Sequence, residues 1–151
     1  MVLIEFSANS TRCCVNLSIS GYLISMSETI SLYLETDARE TLSKILPQVN
    51  TVIHLAAIVG DLPCKAIPDL SYEINFLSTI NLAKLCRKYR VEQFIFASTC
   101  SNYGIVNSDM PAKEDSKLNP ISLYAETKID SELALEKIAN KNMHIICLRF
   151  G

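Results

Sequence analysis

From residue 51 onward the chain alternates short apolar runs with longer stretches of helical period. Thr51-Val52-Ile53-His54-Leu55-Ala56-Ala57 is a near-continuous apolar run, the pattern of a strand covered on both faces. A loop marked by Gly60, Pro63 and Pro68 follows. Ser71 to Tyr89 carries Ile74, Leu77, Ile80 and Leu85 at helical spacing, with Arg87, Lys88 and Arg90 near its end, where cations suit the helix dipole. Gln93-Phe94-Ile95-Phe96-Ala97-Ser98-Thr99 predicts a second buried strand. A polar loop through Gly104, Asn107, Pro111 and Pro120 leads to a helix over 122–139, and His144-Ile145-Ile146-Cys147-Leu148-Arg149-Phe150 predicts a third buried strand.

This strand-helix-strand-helix-strand order, with apolar strands, predicts parallel βαβ units joined by right-handed crossovers. Ligands of such sheets bind beyond the carboxyl ends of the strands. Ala56-Ala57 and Ser98-Thr99 fall at that edge, and the helix opening at Ser122 reaches it through the loop after Thr99.

Composition narrows the classes without adding chemistry. At 151 residues the chain fits one domain with a real core, and 49% hydrophobic with 20% charged residues makes it globular rather than disordered. A net charge of -2 with no Lys/Arg cluster argues against nucleic acid and anionic membrane as partners. The six cysteines (Cys13, Cys14, Cys64, Cys86, Cys100 and Cys147) form no C-x-x-C and no pairing rhythm, which fits reduced thiols in a cytoplasmic protein and no metal site. Met1 to Met26 is moderately apolar but broken by Asn9, Ser10, Arg12 and Asn16, which fits neither a signal peptide nor a membrane span.

The chemistry centres on Tyr124 and Lys128. At i and i+4 on one helix, both side chains leave from the same face. A cation held beside a phenol favours the phenolate and brings tyrosine toward acid-base work near neutral pH.

Several stretches, taken together, resemble a known family. In order they are Val52-Ile53-His54-Leu55-Ala56-Ala57, Tyr72-Glu73-Ile74-Asn75, Phe94 to Gly104, Tyr124-Ala125-Glu126-Thr127-Lys128 and Leu148-Arg149-Phe150-Gly151. Over 35–151 the chain resembles the extended short-chain dehydrogenases, and within them the NAD-dependent epimerase/dehydratase family that acts on nucleotide-sugars. The fold this implies is α/β, a partial Rossmann-like doubly wound parallel sheet whose first βα unit is degraded or missing. The resemblance implies Tyr124 as the catalytic tyrosine and Lys128 as the lysine that lowers its pKa and holds the nicotinamide ribose. It implies Thr99 as the hydroxyl on the reacting sugar oxygen. Asp37 and Ala38 match the position contacting adenine, Leu55, Ala56 and Ala57 the strand end along the cofactor, and Asn75 an asparagine beside the site. NAD is the implied cofactor, with NADP left open, and a nucleotide-sugar the implied substrate. A homodimer through the Tyr-Lys helix is also implied, with Ile129, Leu133 and Leu135 as its contacts or as core. The dehydratases of this family follow the threonine with an Asp-Glu pair; here Cys100 and Ser101 stand there, which argues against the dehydratase branch, with Cys100 read as a buried, inert thiol and a second acid/base as the alternative.

Two departures from the family stand out. A dinucleotide-binding βαβ opens on a glycine-rich turn, because only glycine lets backbone approach the pyrophosphate. This chain has no glycine before Gly21. Residues 1–34 fit two descriptions: a degraded first unit, with strand Val2 to Ala8, a turn at Glu5-Phe6-Ser7-Ala8-Asn9 and Glu28 as ribose acid, or unrelated sequence. Without a first strand, Thr51–Ala57 is expected to be an exposed edge. The second departure is that family members continue past the Leu-Arg-Phe strand, so the expectation is a partial NAD-binding domain over 35–151 with the C-terminal substrate domain absent. An inactive Rossmann remnant is the alternative to an active epimerase.

Overall fold

The computed structural model describes residues 2–9, 12–18, 36–105 and 111–150. Strands β1 (Val2–Asn9) and β2 (Arg12–Ser18) form an antiparallel hairpin, with Asn9 opposite Arg12. Helix α1 (Thr36–Ile45) and a 3-10 turn (Leu46–Gln48) lead to β3 (Thr51–His54). Helices α2 (Asp61–Ala66) and α3 (Pro68–Tyr72), a π-helical turn (Glu73–Leu77) and α4 (Ser78–Lys88) follow. Strand β4 (Gln93–Thr99), helix α5 (Leu123–Ile138) and strand β5 (His144–Phe150) complete the described elements. They build one sheet in the order β2-β1-β3-β4-β5. Its β1-β3, β3-β4 and β4-β5 pairs are parallel, and Thr51, Gln93 and His144 share one register line.

The parallel order follows from the predicted pattern, and four details correct it. Thr51–Ala57 is not an edge, because β1 lies beside β3 with Val2 next to Val52 and Ile4 next to His54. The turn expected at 5–9 does not form: β1 runs through it to Asn9, and an antiparallel strand follows instead of a helix. The Gly60-to-Pro68 loop holds two short helices; Pro63 lies within the first turn of α2 and Pro68 opens α3, where a missing N–H costs nothing. Strand β5 is half-exposed rather than buried, since its alternate residues Ile146, Leu148 and Phe150 face outward at 38%, 40% and 57% exposure. Gly21 and Glu28 lie outside the described residues.

The core lies between the sheet and its helices. Leu46, Val52, Leu82, Phe94, Phe96, Leu135 and Met143 are each 1% exposed or less. Phe94 and Phe96 sit two apart on β4, so both point to one face, and each contributes about 2–3 kcal/mol by burial. Leu135 is therefore core, whereas Leu133, at 52% exposure, faces outward.

Candidate active site

Helix α5 is anchored at both ends, and that fixes where its functional side chains stand. The Ser122 hydroxyl accepts the Ala125 N–H at 3.3 Å, an N-cap that satisfies one orphan donor. At the far end Arg87 Nη1 donates to the Ile138 carbonyl at 3.4 Å. The buried side of the helix carries Ala125, Thr127, Lys128, Ser131, Leu135 and Ile138. Burying Thr127, Lys128 and Ser131 costs free energy unless each finds a partner.

Lys128 is nearly enclosed. Its Nζ donates to the Ala97 carbonyl on β4 at 2.8 Å and lies 4.6 Å from the Phe96 ring centroid and 5.8 Å from that of Tyr124. Among the described residues Ala97 is its one hydrogen-bond acceptor, although an ammonium has three donors. Burial pushes the amine down to about 8, while Cys64 and Glu132 nearby favour its charge. Tyr124 stands one turn earlier, partly buried against the core. Thr99, which ends β4, accepts the Ser101 N–H and donates to Ser101 Oγ, both at 3.2 Å. Tyr124, Lys128 and Thr99 thus meet at the carboxyl edge of β4, as the topology predicts.

The electrostatics differ from the expectation that Lys128 lowers the Tyr124 pKa. Burial raises it above the ordinary tyrosine value, Cys64 adds to the rise, and the Thr99 hydroxyl pulls the other way. Lys128 is turned to Ala97 and is not among the groups that move it.

The run after β3 is tied to α5 through Asn75. Leu55 is half-buried, while Ala56 and Ala57 are each 1% exposed. Asn75, fully buried, clamps this run: its Oδ1 accepts the Ile58 N–H at 2.7 Å and its Nδ2 donates to the Ile58 carbonyl at 3.0 Å. It also donates to Thr127 Oγ1 on α5 at 3.4 Å. Asn75 therefore joins the run after β3 to α5. Asp37 and Ala38 fall at the start of α1, and their side chains lie outside the described residues.

Two further features were given no role by the sequence reasoning. Glu132 takes Arg149 of β5 as a bidentate pair, Arg149 Nη2 to Glu132 Oε2 at 2.6 Å and Nε to Oε1 at 3.1 Å. Ser98 Oγ and Asn102 Nδ2 also donate to Glu132, and Arg149 reaches Tyr103 Oη at 2.9 Å. The spacing Tyr124, Lys128, Glu132 continues one helix face and was the available clue. Beside this network lies an open cleft of about 620 Å³, bordered by Cys100, Tyr103, Glu114, Arg149 and Phe150. Cys100 is exposed there, not buried as predicted, because it sits on the 3-10 turn past β4 (Cys100–Tyr103) instead of inside the strand. The second feature is His54, described below.

That turn ends at Gly104, whose φ of +66° suits glycine; an added Cβ would stand 2.1 Å from the Asn119 carbonyl oxygen. Gly104→Ala is expected to cost on the order of 2 kcal/mol, read as a lower midpoint in urea unfolding.

The parallel strands with helices packed between them make this a Rossmann-type α/β protein. Residues 14–151 match the family described as NAD dependent epimerase/dehydratase, and the chain belongs to that family. It is 31% identical over 118 residues to the D-erythronate dehydrogenase of Haemophilus influenzae, covering 71% of this chain and 36% of that protein. It is 32% identical over 103 residues to UDP-glucose 4-epimerase 3 of Oryza sativa, covering 67% of this chain and 27% of that protein. The Thermus thermophilus UDP-glucose 4-epimerase in complex with NAD superposes with a TM-score of 0.68 at 30% identity, covering 75% of this chain and 38% of that one. The chain thus spans about a third of the length of the relatives it matches. Among the described residues no helix is long and apolar enough to cross a membrane.

Proposed function

We propose that this chain is the cofactor-side part of an NAD-dependent nucleotide-sugar epimerase. The observation that supports this most is Lys128, a charged group buried beside Tyr124 and Thr99 where stability alone would favour a hydrocarbon. A crevice between Tyr124 on one side and the Ala56-Ala57 run on the other would hold the nicotinamide-ribose half of NAD, with Lys128 offering its unspent donors to the ribose. When bound, NAD supplies the acceptor for the carbon-bound hydride. Tyr124 removes the sugar hydroxyl proton, leaving a keto-sugar, and Thr99 holds the reacting oxygen by turning its own proton away from Ser101. Lys128 lowers the tyrosine pKa only after its ammonium turns from Ala97 toward the ribose. The cleft beside Arg149 takes the sugar. No carboxylate follows Thr99, so water elimination lacks its acid and base and epimerisation is the assigned outcome. We place the protein in the cytoplasm, in keeping with the free thiols Cys64, Cys86, Cys100 and Cys147, and infer a homodimer that uses Leu133 on the outward side of α5.

A second reading is supported by the β1-β2 hairpin, which stands where a strand-turn-helix would bind pyrophosphate. On that reading residues 35–151 keep the scaffold without turnover. An NADH fluorescence titration of the purified chain separates the two. Saturable binding is expected, weakened at least about tenfold by Lys128→Ala and little by Tyr124→Phe. It should also fade as pH rises through about 8, where Lys128 loses its charge. No saturation at millimolar NADH by a folded protein would sink the epimerase reading.

A further inference from the structure

His54 is the last residue of β3, fully buried, between Phe94 and Phe96 with ring centroids 5.9 Å away from each. A polar ring there has no packing advantage over leucine, so its hydrogen bonds are the informative part. Its Nε2 is 2.9 Å from Thr79 Oγ1. The Thr79 proton is already committed to the Asn75 carbonyl at 2.8 Å. Thr79 must therefore accept, His54 must carry its proton on Nε2, and its Nδ1 is left a buried acceptor with no partner among the described residues. The Ser131 hydroxyl of α5, which donates to the Thr127 carbonyl of its own helix at 2.7 Å, lies 3.1 Å from the same Asn75 carbonyl in the π-helical turn. Asn75's side chain in turn holds Ile58 and Thr127.

These contacts make one continuous column from β3 through α4 and the π turn to Ile58 and Thr127, on the two walls of the proposed crevice. We propose that His54, acting through Thr79 and Asn75, is a positioning residue that holds the Ala56–Ile58 wall and the Tyr124–Lys128 wall at a fixed separation and keeps water from beneath Lys128. The proposal rests on the reading of this crevice as a cofactor site, and it deepens that reading by naming what sets the crevice width.

The test uses Thr79→Val, which keeps the shape of the side chain and removes its hydroxyl, with Thr79→Ser as rescue. Cys86→Ala, a buried truncation on the same helix outside the column, controls for simple destabilisation. The readout is the titration of Lys128 followed by NMR with ¹³C-labelled lysine in the absence of NADH. The groups facing it are His54 from β3, Cys64 from α2, and Tyr124 and Glu132 from α5 itself. Wild type is expected to titrate near 8. Thr79→Val should move the midpoint up by about one pH unit as water enters, with Ser and the Cys86 control staying at the wild-type value. An unchanged midpoint in folded Thr79→Val, or an equal rise in Cys86→Ala, would overturn the column. His54→Leu should repeat the Thr79→Val result, and His54→Gln, which keeps a donor near Nε2, should reverse it. NADH affinity is measured alongside. If wild type binds no NADH, the cofactor reading fails, while the lysine titration still decides the column on its own.

Discussion

Lys128→Met is expected to raise the stability of the protein by about 2 kcal/mol while weakening NADH binding at least about tenfold. A lysine held near 8 rather than at its ordinary 10.5 carries its charge at neutral pH at a cost of about 3 kcal/mol. The thioether removes that cost and forfeits the bond to the Ala97 carbonyl, which returns about 1 kcal/mol. The pH dependence identifies the cause. Because the folded pKa is depressed, the wild type recovers stability as pH rises from about 8 to 10.5, so the advantage of methionine should be largest below pH 8 and turn into a deficit of about 1 kcal/mol by 10.5, the lost Ala97 bond. Urea unfolding at pH 7 and pH 10 measures both ends. A less stable Lys128→Met at pH 7 would mean that the ammonium is a structural strut rather than a functional burden.

Acid should destabilise the protein through His54. Burial, with the Lys128 charge acting in the same direction, brings this imidazole down to about 3. In the unfolded chain it takes up a proton near 6.5, so below that pH the unfolded state binds a proton that the folded state refuses. The stability from this group is whole above 6.5 and falls by about 1.4 kcal/mol per pH unit on the way to 3, a loss of about 4–5 kcal/mol. That is a large share of the roughly 5–15 kcal/mol holding a typical domain together. His54→Gln cannot take up this proton, so the difference between it and wild type should shrink as pH drops from 6.5 to 4. Parallel stability curves for the two proteins would show that His54 is hydrated and ordinary.

The parts of the fold that the sequence discloses are those where one physical cause dominates. Val52, Phe94 and Phe96 lie in runs with few polar residues, so strand and burial coincide. Ser122 before an unbroken helical stretch locates the start of α5, and with it Tyr124 and Lys128, to within one residue. What was hidden depends on partners distant along the chain. Leu148 and Phe150 are apolar enough for a core, but their exposure depends on what covers β5, which the strand's own pattern does not reveal. The direction in which Tyr124 shifts turns on where Lys128 points, and the competing acceptor, Ala97, is contributed by β4. Arg149 and Glu132 meet only because β5 and α5 pack together. The hairpin of β1 and β2 was missed for a different reason: the family pattern places a turn at Glu5–Asn9, and that turn relies on glycines which this stretch does not contain.

Strand β5 has a further consequence. Its inward residues Ile145 and Cys147 pack on the core, while Ile146, Leu148 and Phe150 form an equally oily stripe on the other side. Such a stripe is the kind of surface by which chaperones and proteases sort nascent chains. Until another surface covers those three side chains, they stay open to that kind of recognition.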